Sequence, residues 1–65
     1  MMETQDSIDR VRAYVELAVR VHDGNITEAA ETCRWAAEWW SAVNQDTAAL
    51  WQRVADTLDA LALAQ

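Results

Sequence analysis

Proline is absent from this chain of 65 residues and glycine occurs once, at Gly24, so very little in it can stop a helix. Proline breaks a helix because it lacks the amide hydrogen and clashes with the preceding turn; glycine ends one by entering the left-handed region without a Cβ penalty. The residues in between favour helix themselves. Alanine is the commonest, and leucine, glutamate and arginine recur throughout, all of them good helix formers. The expected fold is all-α, a compact three-helix bundle forming a single domain over residues 1–65, with residues 1–5 frayed.

The strongest break is HDGN at 22–25. Gly24 can take up the left-handed conformation that closes one helix, and Asn25 can cap the next. Glu28 stands three residues beyond Asn25, the spacing of a capping box. VNQD at 43–46 is a weaker break, where Asn44 or Asp46 can cap a third helix. The expected helices therefore run over about 7–22, 26–43 and 47–64, the second and third being near-continuous if the weaker break only kinks the chain.

Apolar residues at helical spacing then mark the core. In the first helix Ile8, Val11, Val15, Ala18 and Val19 share one side, with Tyr14, Leu17 and Val21 widening it. In the third, Leu50, Trp51, Val54, Leu58 and Leu61 form one stripe, which makes Trp51 a core residue. The second helix carries Ile26, Ala29, Ala30, Cys33, Ala37 and Trp40 on its core side. Most of these are small and permit close approach of a neighbour. Trp35 and Trp39 fall outside the stripe, on a face turned roughly 120 to 160° away from it that also carries Glu28. A middle helix meets two neighbours whose directions differ by only about 60°, so this pair of tryptophans is left over. Either the third helix folds across and buries them, or they form an exposed aromatic pair that closes a homodimer or docks a partner.

Charge and cysteine usage exclude several functions. Eleven acidic residues stand against five arginines and no lysine, a net charge of -6. Direct binding of nucleic acid or of an anionic membrane needs a positive footprint and is not expected. No apolar run reaches transmembrane length and no leader pattern stands out, so the cytosol is the expected compartment. With one cysteine and one histidine, an internal disulfide and a multi-ligand zinc site are both out of reach, and no cofactor is expected. Cys33 reads as a small core hydrophobe, and His22 as a residue of the last turn of its helix interacting with the final carbonyls. The two are not expected to form a catalytic pair, and the chain is not expected to be an enzyme.

Much of the acidity is ordinary. Arg12, Glu16 and Arg20 are spaced as an i, i+4 ladder, Arg34 can pair with Glu31 or Glu38, and Arg53 with Asp56. The surplus gathers at two ends: Glu3, Asp6 and Asp46 at one, Asp23, Glu28, Asp59 and the carboxyl terminus at the other. Such ends can steer the protein toward a basic partner. The residues expected to contact a partner are thus Trp35, Trp39, Glu28, Glu31, Asp23, Asp46 and Asp59.

Two resemblances add to this. The stretch VHDGNITEAAE, Val21 to Glu31, resembles the inter-helix turn of a tetratricopeptide repeat, with Ala29 five positions after Gly24 and small residues at Cys33 and Ala36. Trp51, Val54, Ala55 and Leu58 are similar to the opening of such a repeat's first helix, and Tyr14, Leu17, Ala18 and Val21 repeat that spacing 37 residues earlier. The family's period is about 34 and its repeats end in a proline; this chain matches neither, and the resemblance implies a helical hairpin without a peptide groove. In size and charge the chain also resembles phage-encoded inhibitors of host defence systems, including anti-CRISPR proteins and acidic mimics of DNA. That resemblance implies a stand-alone inhibitor or adaptor that binds a larger, basic, nucleic-acid-binding protein. The competing expectation is a homo-oligomeric structural or regulatory subunit, antitoxin-like, with Trp35 and Trp39 at its interface.

Overall fold

The computed structural model describes residues 5–64, with side chains from Ile8 onward. The expected fraying of residues 1–5 falls largely outside that range, as does Glu3, while Gln5 already belongs to the first helix. Three helices follow in order, α1 (Gln5–Val21), α2 (Ile26–Ser41) and α3 (Gln45–Ala64). No strand occurs among the described residues. The radius of gyration, 11.5 Å, is close to the roughly 11 Å of a compact domain of this length.

Each break is built from the residues that announce it. Gly24 N–H donates to the Val19 carbonyl at 2.8 Å and Asp23 N–H to the Arg20 carbonyl at 3.2 Å, the paired bonds of a Schellman motif. The residue in the first left-handed position is Asp23, at φ 54°, and Gly24 follows it at φ 85°. Two successive residues reverse the chain where one glycine was expected to. Asn25 then caps α2, its Oδ1 accepting from Glu28 N–H at 3.1 Å. The return bond of the capping box is altered: Glu28 Oε2 accepts from the Asn25 side-chain amide at 2.8 Å, because the Asn25 backbone N–H is already held by the His22 carbonyl at 2.9 Å.

At the second break Asn44 is the cap. Its Oδ1 accepts from the backbone N–H groups of Asp46 and Thr47 at 3.0 and 3.2 Å. α3 therefore begins at Gln45 and α2 ends at Ser41, so the two are separate helices joined by a three-residue reversal rather than one kinked rod. Without a glycine here, α2 closes on tightened bonds, with Val43 and Asn44 N–H both directed at the Trp40 carbonyl, 2.8 and 2.7 Å away.

α2 and α3 pack closely as an antiparallel hairpin. Small side chains permit this: Ala29, Ala30 and Cys33 on α2 and Ala55 on α3 are completely or almost completely buried. Large residues at those positions would hold the helix axes farther apart. α1 lies over the hairpin through Val11, Val15 and Ala18, which join Val54 and Leu58 in one core. Tyr14 of α1 meets Trp51 of α3 with ring centroids 5.0 Å apart. His22 ties α1 to α2. Its Nδ1 donates to the Ala18 carbonyl at 2.8 Å, and its Nε2 lies 3.0 Å from the Thr32 hydroxyl. A carbonyl can only accept, so Nδ1 carries the proton and, in the neutral ring, Nε2 accepts from Thr32.

Among the described residues no aromatic side chain is fully buried in the core. Its largest fully buried side chains are Leu58, Val54 and Cys33. Trp51 packs on the rim of the core as a half-buried residue, and Trp40, expected to end the core stripe of α2, is neither in the core nor on its rim. Trp40 is half-buried and stacked edge to face on Trp39, ring centroids 5.0 Å apart.

Candidate protein-interaction face

The buried side of α2 is defined by Ala29, Ala30, Cys33 and Ala37. Trp35 lies close to 180° from the centre of that side and Trp39 next to it, so neither α1 nor α3 covers them. Trp35 is 68% exposed and Trp39 55%. Of the two outcomes open to this pair, burial under α3 and exposure on α2, the structure has the second. Trp40 extends the aromatic surface through its contact with Trp39. Val43, in the turn that follows, is 63% exposed.

Charge on this face has one sign. Glu28, Glu31 and Glu38 are all exposed and lie on the same outward side of α2 as the two tryptophans. The helix has a single cation, Arg34, and it is directed away. Arg34 Nη1 donates to both carboxylate oxygens of Asp59 on α3, at 2.9 and 2.8 Å. Pairing of Arg34 with Glu31 or Glu38 was the expectation from spacing; the packed neighbour wins because both groups are half-buried between α2 and α3, where a carboxylate on the facing helix is held in place. The consequence is local. Glu31 and Glu38 are left without an ion pair among the described residues, beside two exposed indoles.

The other expected contact residues divide by position. Asp23 is exposed in the α1–α2 turn, where its main-chain conformation serves the helix end. Glu28 is exposed but engaged with Asn25 in the cap. Asp46 is exposed in the first turn of α3, at the opposite end of the molecule, in a hollow that also contains Arg10 and Arg53. Asp59 is neutralised by Arg34 and adds little to a negative end. The side chain of Asp6 and the carboxyl terminus lie outside the described residues. The structure thus brings Trp35, Trp39, Glu28 and Glu31 onto one face and leaves Asp23, Asp46 and Asp59 elsewhere. Glu38 belongs to the face and was not expected there, and Trp40 adjoins it through Trp39. Glu38, three residues from Trp35, was accessible to a spacing argument; the edge-to-face contact of Trp40 with Trp39 was not.

Cys33 is buried at the base of a shallow apolar cleft of about 160 Å³ between α1 and α2. Burial raises its thiol pKa above the ordinary 9.0 by desolvating the thiolate, so the group is a protonated hydrophobe at neutral pH. No helix among the described residues is long and apolar enough to cross a membrane.

No protein-family model, curated protein or solved structure matches the chain. The tetratricopeptide likeness accordingly rests on the Val21–Glu31 turn and the Trp51–Leu58 spacing alone.

Proposed function

We propose that this protein is an acidic protein-interaction module whose working surface is the outward face of α2, and that it acts as an inhibitor or adaptor by occupying a basic surface of a larger protein. The observation that carries this reading is the exposure of Trp35 and Trp39 among carboxylates that have no cation of their own. Tryptophan is enriched at interface hot spots, and desolvating an indole is strongly favourable when a partner covers it. The acidic rim specifies what kind of partner that is. A surface with an apolar centre and arginine or lysine at its edge complements the face, and nucleic-acid-binding proteins present arginine and lysine abundantly.

A symmetric homodimer through the same face is disfavoured. It would set Glu28, Glu31 and Glu38 of one copy against the same residues of the other, and like charges brought together across an interface are destabilising.

The test is affinity capture from the source cells with wild type, Trp35→Ala and Glu31→Arg/Glu38→Arg as baits. The expected result is a nucleic-acid-binding protein retained by wild type, lost with either variant and weakened between about 50 and 500 mM salt, where the screening length shrinks from roughly 14 to 4 Å. Equal retention by all three baits would overturn the reading.

A further inference from the structure

We propose that the partner of the Trp35 face is an amphipathic helix, basic along one flank, that lies between α1 and α2 and inserts one apolar side chain into the cleft above Cys33. The proposal rests on the reading of the outward side of α2 as a docking surface and adds the anchor point and the shape of what docks there. The cleft is walled by Leu17 and Val21 of α1, Thr32 and Cys33 of α2 and Trp51 of α3, and has a volume of about 160 Å³. Among the described residues no acid or arginine lines it. His22 and Thr32, two polar residues of the wall, are bonded to each other at 3.0 Å, and the other ring nitrogen of His22 is bonded to the Ala18 carbonyl. An apolar cavity of about 150 Å³ accepts a benzene ring. The matching anchor is therefore a leucine, isoleucine, methionine or phenylalanine side chain; a charged one is opposed by its desolvation.

Cleft and tryptophans are parts of one surface. Thr32 is exposed, lines the cleft and stands three residues before Trp35, a spacing that makes helix side chains neighbours. Glu28, Thr32, Trp35 and Trp39 follow one another at steps of four, three and four, the line along which a second helix meets the first over its length. Leu17 and Val21, four apart on α1, form the facing wall and are 49% and 67% exposed. Eight large apolar side chains among the described residues are exposed, and four of them border this cleft or this line. Trp35 and Trp39 leave about 300 Å² in water, and Leu17 and Val21 raise this to about 500 Å². Apolar patches of that size mark interaction sites. With the exposed glutamates of its rim, the face approaches the ~800 Å² per partner of a standard interface.

Charge sets the sidedness of the partner. Glu31 and Glu38 flank the line on α2, exposed and without an ion pair among the described residues, and Glu28 stands at its start. Arg34, the cation of that helix, is held by Asp59. On α1 the one charged residue at one-turn spacing from Leu17 or Val21 is Arg20, about 60° round the helix from Leu17. The docking helix therefore carries lysine or arginine on the flank over α2 and not on the flank over α1, where it would meet Arg20.

A display library of helical peptides of roughly 16 residues, long enough for four turns, supplies the probe when selected on wild type. The expected winners share one fixed leucine, isoleucine, methionine or phenylalanine, with lysine or arginine along one flank. Alanine at that fixed position in the peptide, or Leu17→Glu in the protein, weakens binding about thirtyfold, and Trp35→Ala does so to a similar degree. The methyl signals of Leu17, Val21 and Thr32 shift in nuclear magnetic resonance titrations with the winning peptide. If Leu17→Glu does not fold, the alanine change in the peptide and the methyl shifts decide. Basic winners that need Trp35 but tolerate Leu17→Glu, and leave those methyl signals unmoved, overturn the cleft proposal while the face reading stands. Winners that need Leu17 but tolerate Trp35→Ala overturn the face reading and the joint surface with it. A selection with no fixed apolar position, or with no binder at all, overturns the proposal and leaves the face reading to affinity capture.

Discussion

Replacing Trp35 by alanine separates a surface role from a structural one. Trp35 keeps 68% of its area in water, so about 80 Å² of a tryptophan's ~250 Å² is covered. Roughly half of that is main chain, which any residue in a helix covers. About 40 Å² of indole contact remains, worth ~1 kcal/mol at ~25 cal/mol per Å². Alanine's higher helix propensity returns about half of this. The expected loss of folding stability is thus about 0.5 kcal/mol. Binding is a different matter, since truncating a central interface tryptophan costs about 2 kcal/mol or more, a roughly thirtyfold weaker complex. Urea unfolding followed by far-ultraviolet circular dichroism measures the first quantity, and titration of the captured partner the second. Trp51→Ala provides the scale, because Trp51 packs on the core and against Tyr14 and its loss costs about 3 kcal/mol. A stability loss above ~2 kcal/mol for Trp35→Ala, well outside the range for surface changes, would show that the indole is covered and refute the argument.

Two further predictions concern the scaffold. A Cβ at Gly24 meets nothing within 4 Å, so Gly24→Ala is opposed only by its backbone, at φ 85°, and is expected to lower stability by about 1 kcal/mol in the same urea assay. Cys33 makes the fold sensitive to alkali. Its folded pKa is raised above 9.0 by desolvation; below that value both states hold the proton and the stability is fully present. As pH rises further, the unfolded chain ionises while the folded one does not, and stability falls by at most about 1.4 kcal/mol per pH unit until the folded pKa is passed. Urea midpoints at pH 7 and 10 should therefore separate more for wild type than for Cys33→Ala, which shares every other titrating group.

Most of the architecture could be read from the sequence because it is written in local chemistry. Gly24, Asn25 and Glu28 locate the first reversal and Asn44 the second, each through bonds that span five residues or fewer. Part of what could not be read depends on neighbours distant in sequence, and part on local geometry that residue type alone does not give. Arg34 chooses Asp59, 25 residues away, over two glutamates on its own helix. Trp40 meets Trp39 edge to face and stays half-buried outside the core cluster. Asp23 takes the first left-handed position and Gly24, as expected, is left-handed too, since a Schellman end counts its positions from the last helical turn and not from the glycine. For the interaction face, spacing fixed the direction of Trp35 and Trp39; it could not say that no helix would cover them.

The reason none does lies in how α2 allocates side-chain size. Its buried side is alanine and cysteine, and its outer side is tryptophan, the reverse of what maximal burial in a small domain would favour. The small residues are required by the close α2–α3 approach, and α1 reaches α2 on the flank that carries Thr32 and Cys33. With two neighbours placed, a helix still has an outward arc, and covering it takes a fourth element that the described chain does not contain. A helix or basic cleft from another protein can be that element. On the proposed reading, the apolar surface withheld from the core of this small domain is the surface that binding would bury, and Trp39 is the tryptophan of the pair that also has a ring contact within the chain, with Trp40. Trp35, 68% exposed on the outward side of α2, is the residue that the proposed association would use at least cost to the fold.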